Sequence, residues 1–363
     1  MNIRQFIATL AAASLMVAAP AAAAVSASPS KDSNHTLAKK ATRGTDRLVG
    51  TNKANVISGW DGNDTLKGRG GNDRLEGNAD DDTMYGDAGD DTLKGQPGDD
   101  TLLGGEGADA LEGHDGTDTL HGEAGNDYLN GGAGTDLGWG EDGNDTISGQ
   151  LGDDQIWGGV GDDVVDAFGD NDVVYGEDGS DILNGSAGDD VVYGGPGDDN
   201  RAPGPGRPGG LLGGPGNDRV YGEDGNDHVS GAEGDDYVDG GAGNDEVDGG
   251  SGNDTIVDGL GDDSVSGDAG TDIFYVGPGA DKVWPEEGDD IVYLTADGAP
   301  DVVRCDDVDD AAGIASQGLN DQVFYIGAID PLDVIWPTCE VVRSISDFPA
   351  AWPYAPAVGR TAF

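Results

Sequence analysis

An aspartate recurs at every ninth residue through most of this 363-residue chain. In rows of nine counted from residue 41, the sixth place is Asp in 26 of 27 rows, with Asn55 the exception. The fourth place is Gly in 24 rows, and Lys53, Asp80 and Asp170 depart from it. A solvated acidic face needs no fixed spacing, so carboxylates held in one phase point to a shared ligand. Carboxylates beside glycine turns offer oxygen, which suits Ca²⁺ with its six to eight oxygen ligands at about 2.3–2.6 Å. Mg²⁺ keeps its waters in a small octahedral shell, and transition metals want histidine or thiolate. The histidines, His35, His114, His121 and His228, are scattered, and neither cysteine lies in a row. The candidate ligands are the sixth-place aspartates of the regular rows: Asp64, Asp73, Asp82, Asp91, Asp100, Asp109, Asp118, Asp127, Asp136, Asp145, Asp154, Asp163, Asp172, Asp181 and Asp190, then Asp218, Asp227, Asp236, Asp245, Asp254, Asp263 and Asp272. Asp46, Asp199, Asp281 and Asp290 stand at row ends or beside a break and are left out of that set.

Two kinds of backbone must alternate to position these groups. The first six residues of a row, G-G-x-G-x-D, contain glycines that accept positive φ and suit a tight turn lined with carbonyls. The last three, x-U-x with U apolar, make a short strand whose middle side chain points inward. The eighth place is apolar in 25 rows, Gly138 and Arg201 being the departures. Turn and strand in strict alternation make the chain coil as an all-β, parallel β-roll or β-helix solenoid, two rows per coil, roughly 13 coils from 27 rows. The inward residues form two columns, leucine early (Leu66, Leu75, Leu93, Leu102, Leu111, Leu120, Leu129) and valine later (Val220, Val229, Val238, Val247, Val265).

The rows run without a gap over 41–202, break at 203–212 (PGPGRPGGLL), and resume over 213–293. The break reads as a bulge leaving the roll, a hinge between two rolls or an out-of-frame stretch, and Arg201 at an inward place argues for a disrupted coil there. Residues 1–24 read as a secretory signal, with Arg4, an apolar stretch from Phe6 to Ala19 and a small-residue cleavage site at Ala22, Ala23 and Ala24. Residues 25–40 read as a flexible lead-in. Residues 294–363 are richer in Val, Ile, Trp and Phe and read as an end cap and tail, stapled by a Cys305–Cys339 disulfide that export to an oxidising compartment permits.

Acidic residues outnumber basic ones 72 to 18, a net charge of −54 that becomes −55 once the segment bearing Arg4 is removed. Such a charge argues against nucleic acid and anionic membrane as partners. No later segment approaches the ~20 apolar residues of a membrane span, so membrane insertion is not expected. One inward residue per nine is a small core, about 1.5–3 kcal/mol each when buried, against about 1–2 kcal/mol of backbone entropy per ordered residue. Folding is therefore expected to depend on the bound cation.

The rows, GGAGNDEVD (240–248) and GGSGNDTIV (249–257) among them, resemble the RTX, or haemolysin-type, calcium-binding repeat. That resemblance implies a right-handed parallel roll with Ca²⁺ ions between the turns of successive coils on each edge. It also implies that sixth-place aspartates two rows apart, such as Asp64 with Asp82, Asp73 with Asp91 and Asp218 with Asp236, share an ion with glycine-turn carbonyls. Pairing within each unbroken block sets a maximum of 23 ions, whose +46 nearly balances −55.

An outward, ninth-place set of aromatics, Tyr85, Trp139, Trp157, Tyr175 and Tyr193, is separated by whole numbers of coils and falls on one face, and Tyr275 and Tyr293 repeat the spacing. It reads as a stacked ladder stabilising the sheet, or as a stripe binding extracellular glycans or proteins. No H-E-x-x-H, G-x-S-x-G or P-loop is present, so the expected role is non-catalytic: a secreted or cell-surface, calcium-stabilised structural or adhesive protein. The alternatives are a surface glycan- or partner-binding module and a calcium-stabilised part of a secreted hydrolase system.

Overall fold

The computed structural model describes residues 41–199, 209–305, 321–326, 331–336, 339 and 341–345. The segments read as signal and lead-in, Arg201 and the extreme C-terminal tail lie outside them. Among the described residues there is no helix, and thirty-one strands run from β1 (Arg47–Val49) to β31 (Val341–Ile345). Odd-numbered strands form one 16-stranded sheet and even-numbered strands a 15-stranded sheet, so consecutive strands alternate between sheets. All ladders between them are parallel, and in the regular coils each residue faces its counterpart two rows on, as in Leu66↔Met84 and Leu75↔Leu93. This is a parallel β-solenoid of about fifteen coils.

The two apolar columns are those expected. Leu48, Leu66, Met84, Leu102 and Leu120 line one sheet and Ile57, Leu75, Leu93, Leu111 and Leu129 the other, each at most 1% exposed. The strands are longer than three residues, however. Most have six, such as Thr65–Gly70, running through the last three places of one row and the first three of the next. The turn shrinks to the fourth, fifth and sixth places. The strand absorbs its change of direction at the second place, where Trp60 (φ 86°), His114 (φ 86°) and Phe168 (φ 80°) take left-handed backbone. Inward residues then alternate strictly as sixth, eighth and first places, so the aspartate is the inward residue just ahead of its strand.

The coil continues through the break. Strand β16 (Ile182–Asn184) pairs with β18 (Leu211–Pro215), and β17 (Val191–Pro196) with β19 (Arg219–Asp224). Leu211, fully buried, takes the inward place that strict counting assigned to Arg201. Both sheets therefore run on from one block of rows to the other, with the chain re-phased between neighbouring turns rather than hinged between separate rolls.

The ladder also runs past Tyr293. Strand β28 (Val302–Val303), β29 (Gln322–Ile326), β30 (Val334–Ile335) and β31 extend both sheets into residues read as a cap. Strands β28 and β30 are neighbours, and the Cys305–Cys339 disulfide joins the chain just after each. These strands account for the excess over the thirteen coils expected.

Candidate cation sites at the solenoid edges

Each sixth-place aspartate ends a turn and points into the roll, because strand alternation there requires it. Its backbone N–H donates to Oδ1 of the aspartate one coil on: Asp64 to Asp82 at 2.7 Å, Asp73 to Asp91 at 2.6 Å and Asp218 to Asp236 at 2.8 Å. The bond persists across the break, from Asp190 to Asp218 at 2.7 Å and from Asp199 to Asp227 at 2.8 Å. All twenty-two candidate aspartates, Asp64 to Asp190 and Asp218 to Asp272, are at most 4% exposed. In every one the second carboxylate oxygen, Oδ2, is buried with no hydrogen-bond partner.

Buried ionised carboxylates without counter-charge are costly. The energetics register this as raised pKa values: Asp73 is pushed up to about 6, Asp82 to about 7 and Asp181 to about 8. Burial is the largest cause in each; the backbone N–H bond opposes it, and neighbouring acidic groups add to the rise.

In most rows the space around Oδ2 is kept open by a glycine at the first place; Ala167 is the exception among the regular rows. A Cβ built on Gly68 would lie 2.2 Å from Asp73 Oδ2 and 2.8 Å from the Gly86 carbonyl oxygen one coil on. The same arrangement recurs at Gly77, beside Asp82 Oδ2 and the Gly95 carbonyl. An orphaned carboxylate oxygen and a carbonyl of the next coil thus face one small gap, all-oxygen surroundings that fit a hard cation. The glycine-rich row is needed here for room, in addition to turning.

Of the four aspartates left out of the candidate set, three belong to the ladder. Asp199, Asp281 and Asp290 are at most 1% exposed and have the same orphaned Oδ2. Asp46 differs, its Oδ2 accepting from the Thr42 N–H at 2.6 Å and hydroxyl at 2.7 Å. Asn55 is buried, but its Oδ1 accepts from the Thr51 N–H at 2.8 Å, so the first coil lacks one carboxylate. Counting in nines missed Asp301, Asp321 and Asp333, which extend the ladder by accepting from Asp281 (3.1 Å), Asp290 (3.0 Å) and Asp301 (3.1 Å). A signal for them exists: Asp301-Val302-Val303, Asp321-Gln322-Val323 and Asp333-Val334-Ile335 each keep the D-x-U order of places six to eight after the spacing is lost.

On the outer face of the 16-stranded sheet the aromatic set is a stack. Trp139, Trp157, Tyr175 and Tyr193 follow one another with centroids 4.8–5.5 Å apart and planes within 7°. His121 begins the stack at 4.5 Å from Trp139 and Tyr221 extends it at 4.9 Å from Tyr193, a member hidden by the re-phasing at the break. Tyr85 stands apart, two strands before His121, with Leu103 between. Tyr275 and Tyr293 form a second stack that continues to Phe324.

A parallel β-solenoid whose edges carry columns of buried, charge-uncompensated aspartates beside glycine carbonyls defines a class: repeat proteins with oxygen-lined gaps between their coils that suit a hard cation. The sequence pattern described as the RTX calcium-binding nonapeptide repeat matches this chain in overlapping stretches that together cover 41–200 and 212–283, beginning with 41–75 and ending with 248–283. The chain belongs to that family. No curated protein matches it.

Proposed function

We propose that this is a secreted, non-catalytic protein whose roll folds on binding many Ca²⁺ ions and serves as a structural or adhesive element outside the cell. The observation that carries the calcium reading is the column of orphaned Oδ2 atoms, each in a gap that glycine keeps open in the regular rows. The residues that would hold the ions are the sixth-place aspartates from Asp64 to Asp290, with the first-place backbone carbonyls, most of them glycine, facing them. Bound Ca²⁺ would supply the positive charge that these buried carboxylates lack. The export-type N-terminus and the disulfide favour an extracellular location, and the lack of a recognisable catalytic motif in the sequence favours a binding or structural role.

The aromatic column supports the structural side of the reading. Rings stacked this closely cover one another's faces and present edges, whereas sugar recognition on an aromatic platform uses an open face. A glycan or protein partner is the second reading, since Tyr175 and Tyr193 border a groove with Glu177 and Glu223.

The test is circular dichroism of the mature chain with and without millimolar Ca²⁺, together with elemental analysis after dialysis. Strand signal should appear with calcium, and ions should be retained. Equal compactness in chelator and calcium, with no ion retained, would refute the reading. Glycan pull-down with Trp157→Ala and Tyr175→Ala variants decides between the structural and partner-binding roles.

A further inference from the structure

One first-place residue carries a charge. Rows around it begin with Gly240, Gly249, Gly267 and Val276, but the row at 258–266 begins with Asp258, which is 1% exposed. Its Oδ1 accepts from the Gly259 and Gly277 N–H groups, each at 2.7 Å, so the side chain is fixed inside the roll rather than turned out. A carboxylate thereby enters the gap that glycine leaves open in the regular rows. Ligand atoms of Asp258, Asp263 and Asp281 all lie within 4.8 Å of one another, the only group of three or more acidic or other metal-ligating side chains that does so among the described residues. Asp263 and Asp281 are 2% and 1% exposed, and each buries an Oδ2 that has no hydrogen-bond partner. Val276, 1% exposed, occupies the first place of the row that ends its turn at Asp281.

We propose that Asp258, Asp263 and Asp281 form a distinct three-carboxylate cation site that fills ahead of the regular edge sites. The proposal rests on the calcium reading above and sharpens it for one coil. A regular gap has sixth-place carboxylates and carbonyls; here a third carboxylate is added within the same few ångströms. Affinity for a hard cation rises with the count of charged ligands and the rigidity of the site. Both are greater here, since the Asp258 carboxylate is held by two backbone donors.

The experiment is calcium titration of the full mature chain by calorimetry, with ions retained at limiting calcium counted by elemental analysis. Wild type is compared with Asp258→Gly, which restores the residue most rows carry, and Asp258→Asn, which keeps the shape and removes the charge. Expected is one early-filling site in wild type, weakened about tenfold or more in both variants by loss of a charged ligand, with the later part of the titration unchanged. Superimposable titrations of wild type and both variants overturn the proposal while leaving calcium binding intact. Should wild type retain no calcium at all, the calcium reading itself fails and this site with it. Should Asp258→Gly lose strand signal in saturating calcium, Asp258→Asn alone decides by the same criterion.

Discussion

The regular coils over 59–257 and the last coils over 258–345 share one ladder but are filled differently. In the regular coils the first place is Gly, apart from Ala167, and the interior consists of one apolar side chain per row, Gly138 excepted, with an aspartate beside it. In the last coils the first place holds Asp258, Val276, Pro285 and Leu294 besides Gly267, and Phe274, Val276, Leu294 and Tyr325 are buried. Ladder bonds lengthen from 2.6–2.7 Å where Asp73 and Asp82 donate to 3.0–3.1 Å where Asp321 and Asp333 accept. A disulfide joins neighbouring coils there. Where the gap beside the carboxylate is kept open, apolar packing is thin and an ion would have to supply the cohesion; where apolar side chains enter, packing and a covalent link can supply part of it.

The largest expected effect breaks this comparison by removing calcium. In chelator, hydrogen exchange should proceed quickly through the regular strands, while amides of Ile273–Val276, Ile291–Thr295 and Gln322–Ile326 stay protected longest. Uniform loss of protection along the chain would show that the last coils draw no independent stability from their larger core. Reduction of Cys305–Cys339 should erase the difference in part, since a sequence separation of 34 corresponds to about 4 kcal/mol in the chain-entropy model.

Protons offer a second, weaker substitute for calcium. The buried aspartates have folded pKa values raised from 3.8 to about 6 at Asp136, about 7 at Asp118 and about 8 at Asp172. A group raised on folding contributes stability that is complete below its unfolded pKa and lost as pH rises through the folded one. In chelator, strand signal should therefore be lowest at pH 8 and grow as pH falls through 8 to 4. With calcium present the trend reverses, because the ion binds the ionised form, and affinity should fall over the same window. Circular dichroism and calcium titration at pH 8, 6 and 4 check both signs.

A glycine substitution sets the two regions against each other at about 3 kcal/mol. The Cβ of Gly125→Ala would lie 1.5 Å from the Gly107 carbonyl oxygen at a φ of 150°. Left-handed strain and a backbone clash therefore combine. Gly298→Ala, in the last coils, meets nothing within 4 Å, and its φ is 95°. It carries only the left-handed penalty, about 1–2 kcal/mol. Denaturant midpoints in saturating calcium should rank the two in that order. Equal losses would mean that coils do not approach as closely at the fourth place as Gly125 requires.

How much of this was legible in the chain follows from which constraint each residue answers to. The sixth and eighth places are dictated by strand alternation inside a coil of fixed length, so the aspartate ladder and both apolar columns could be read from spacing alone. Strand length could not, because the second place is held left-handed by ladder bonds between coils even where the residue is Trp60 or Phe168. Nor could the joining of the two blocks: parallel ladders tolerate extra residues in a connection, and only Leu211 meeting Leu183 reveals the new phase. The last coils were hidden for the same reason. A separation of 20 divides Asp281 from Asp301 and one of 31 divides Asp290 from Asp321, so period counting fails while the D-x-U order survives.

The smallest expected effect sharpens the comparison from the regular side. Gly138 occupies an inward eighth place between Leu120 and Ile156, where other rows supply an aliphatic side chain. A small cavity lined by Leu120, Leu129, Ile147 and Ile156 lies beside it. A Cβ there would meet only Ile147 Cγ2, at 3.6 Å, an ordinary contact. Gly138→Ala should therefore stabilise: the unfolded chain loses freedom worth about 0.4–1 kcal/mol, and one buried methyl adds about 0.8 kcal/mol. An increase of about 1–2 kcal/mol in the calcium-saturated protein, with the denaturant slope unchanged, is expected. If filling the column also slows hydrogen exchange of Leu137–Asp142 in chelator, apolar volume is what the regular coils lack. If the gain appears only with calcium, the ions hold the coils at a spacing that packing alone does not reach.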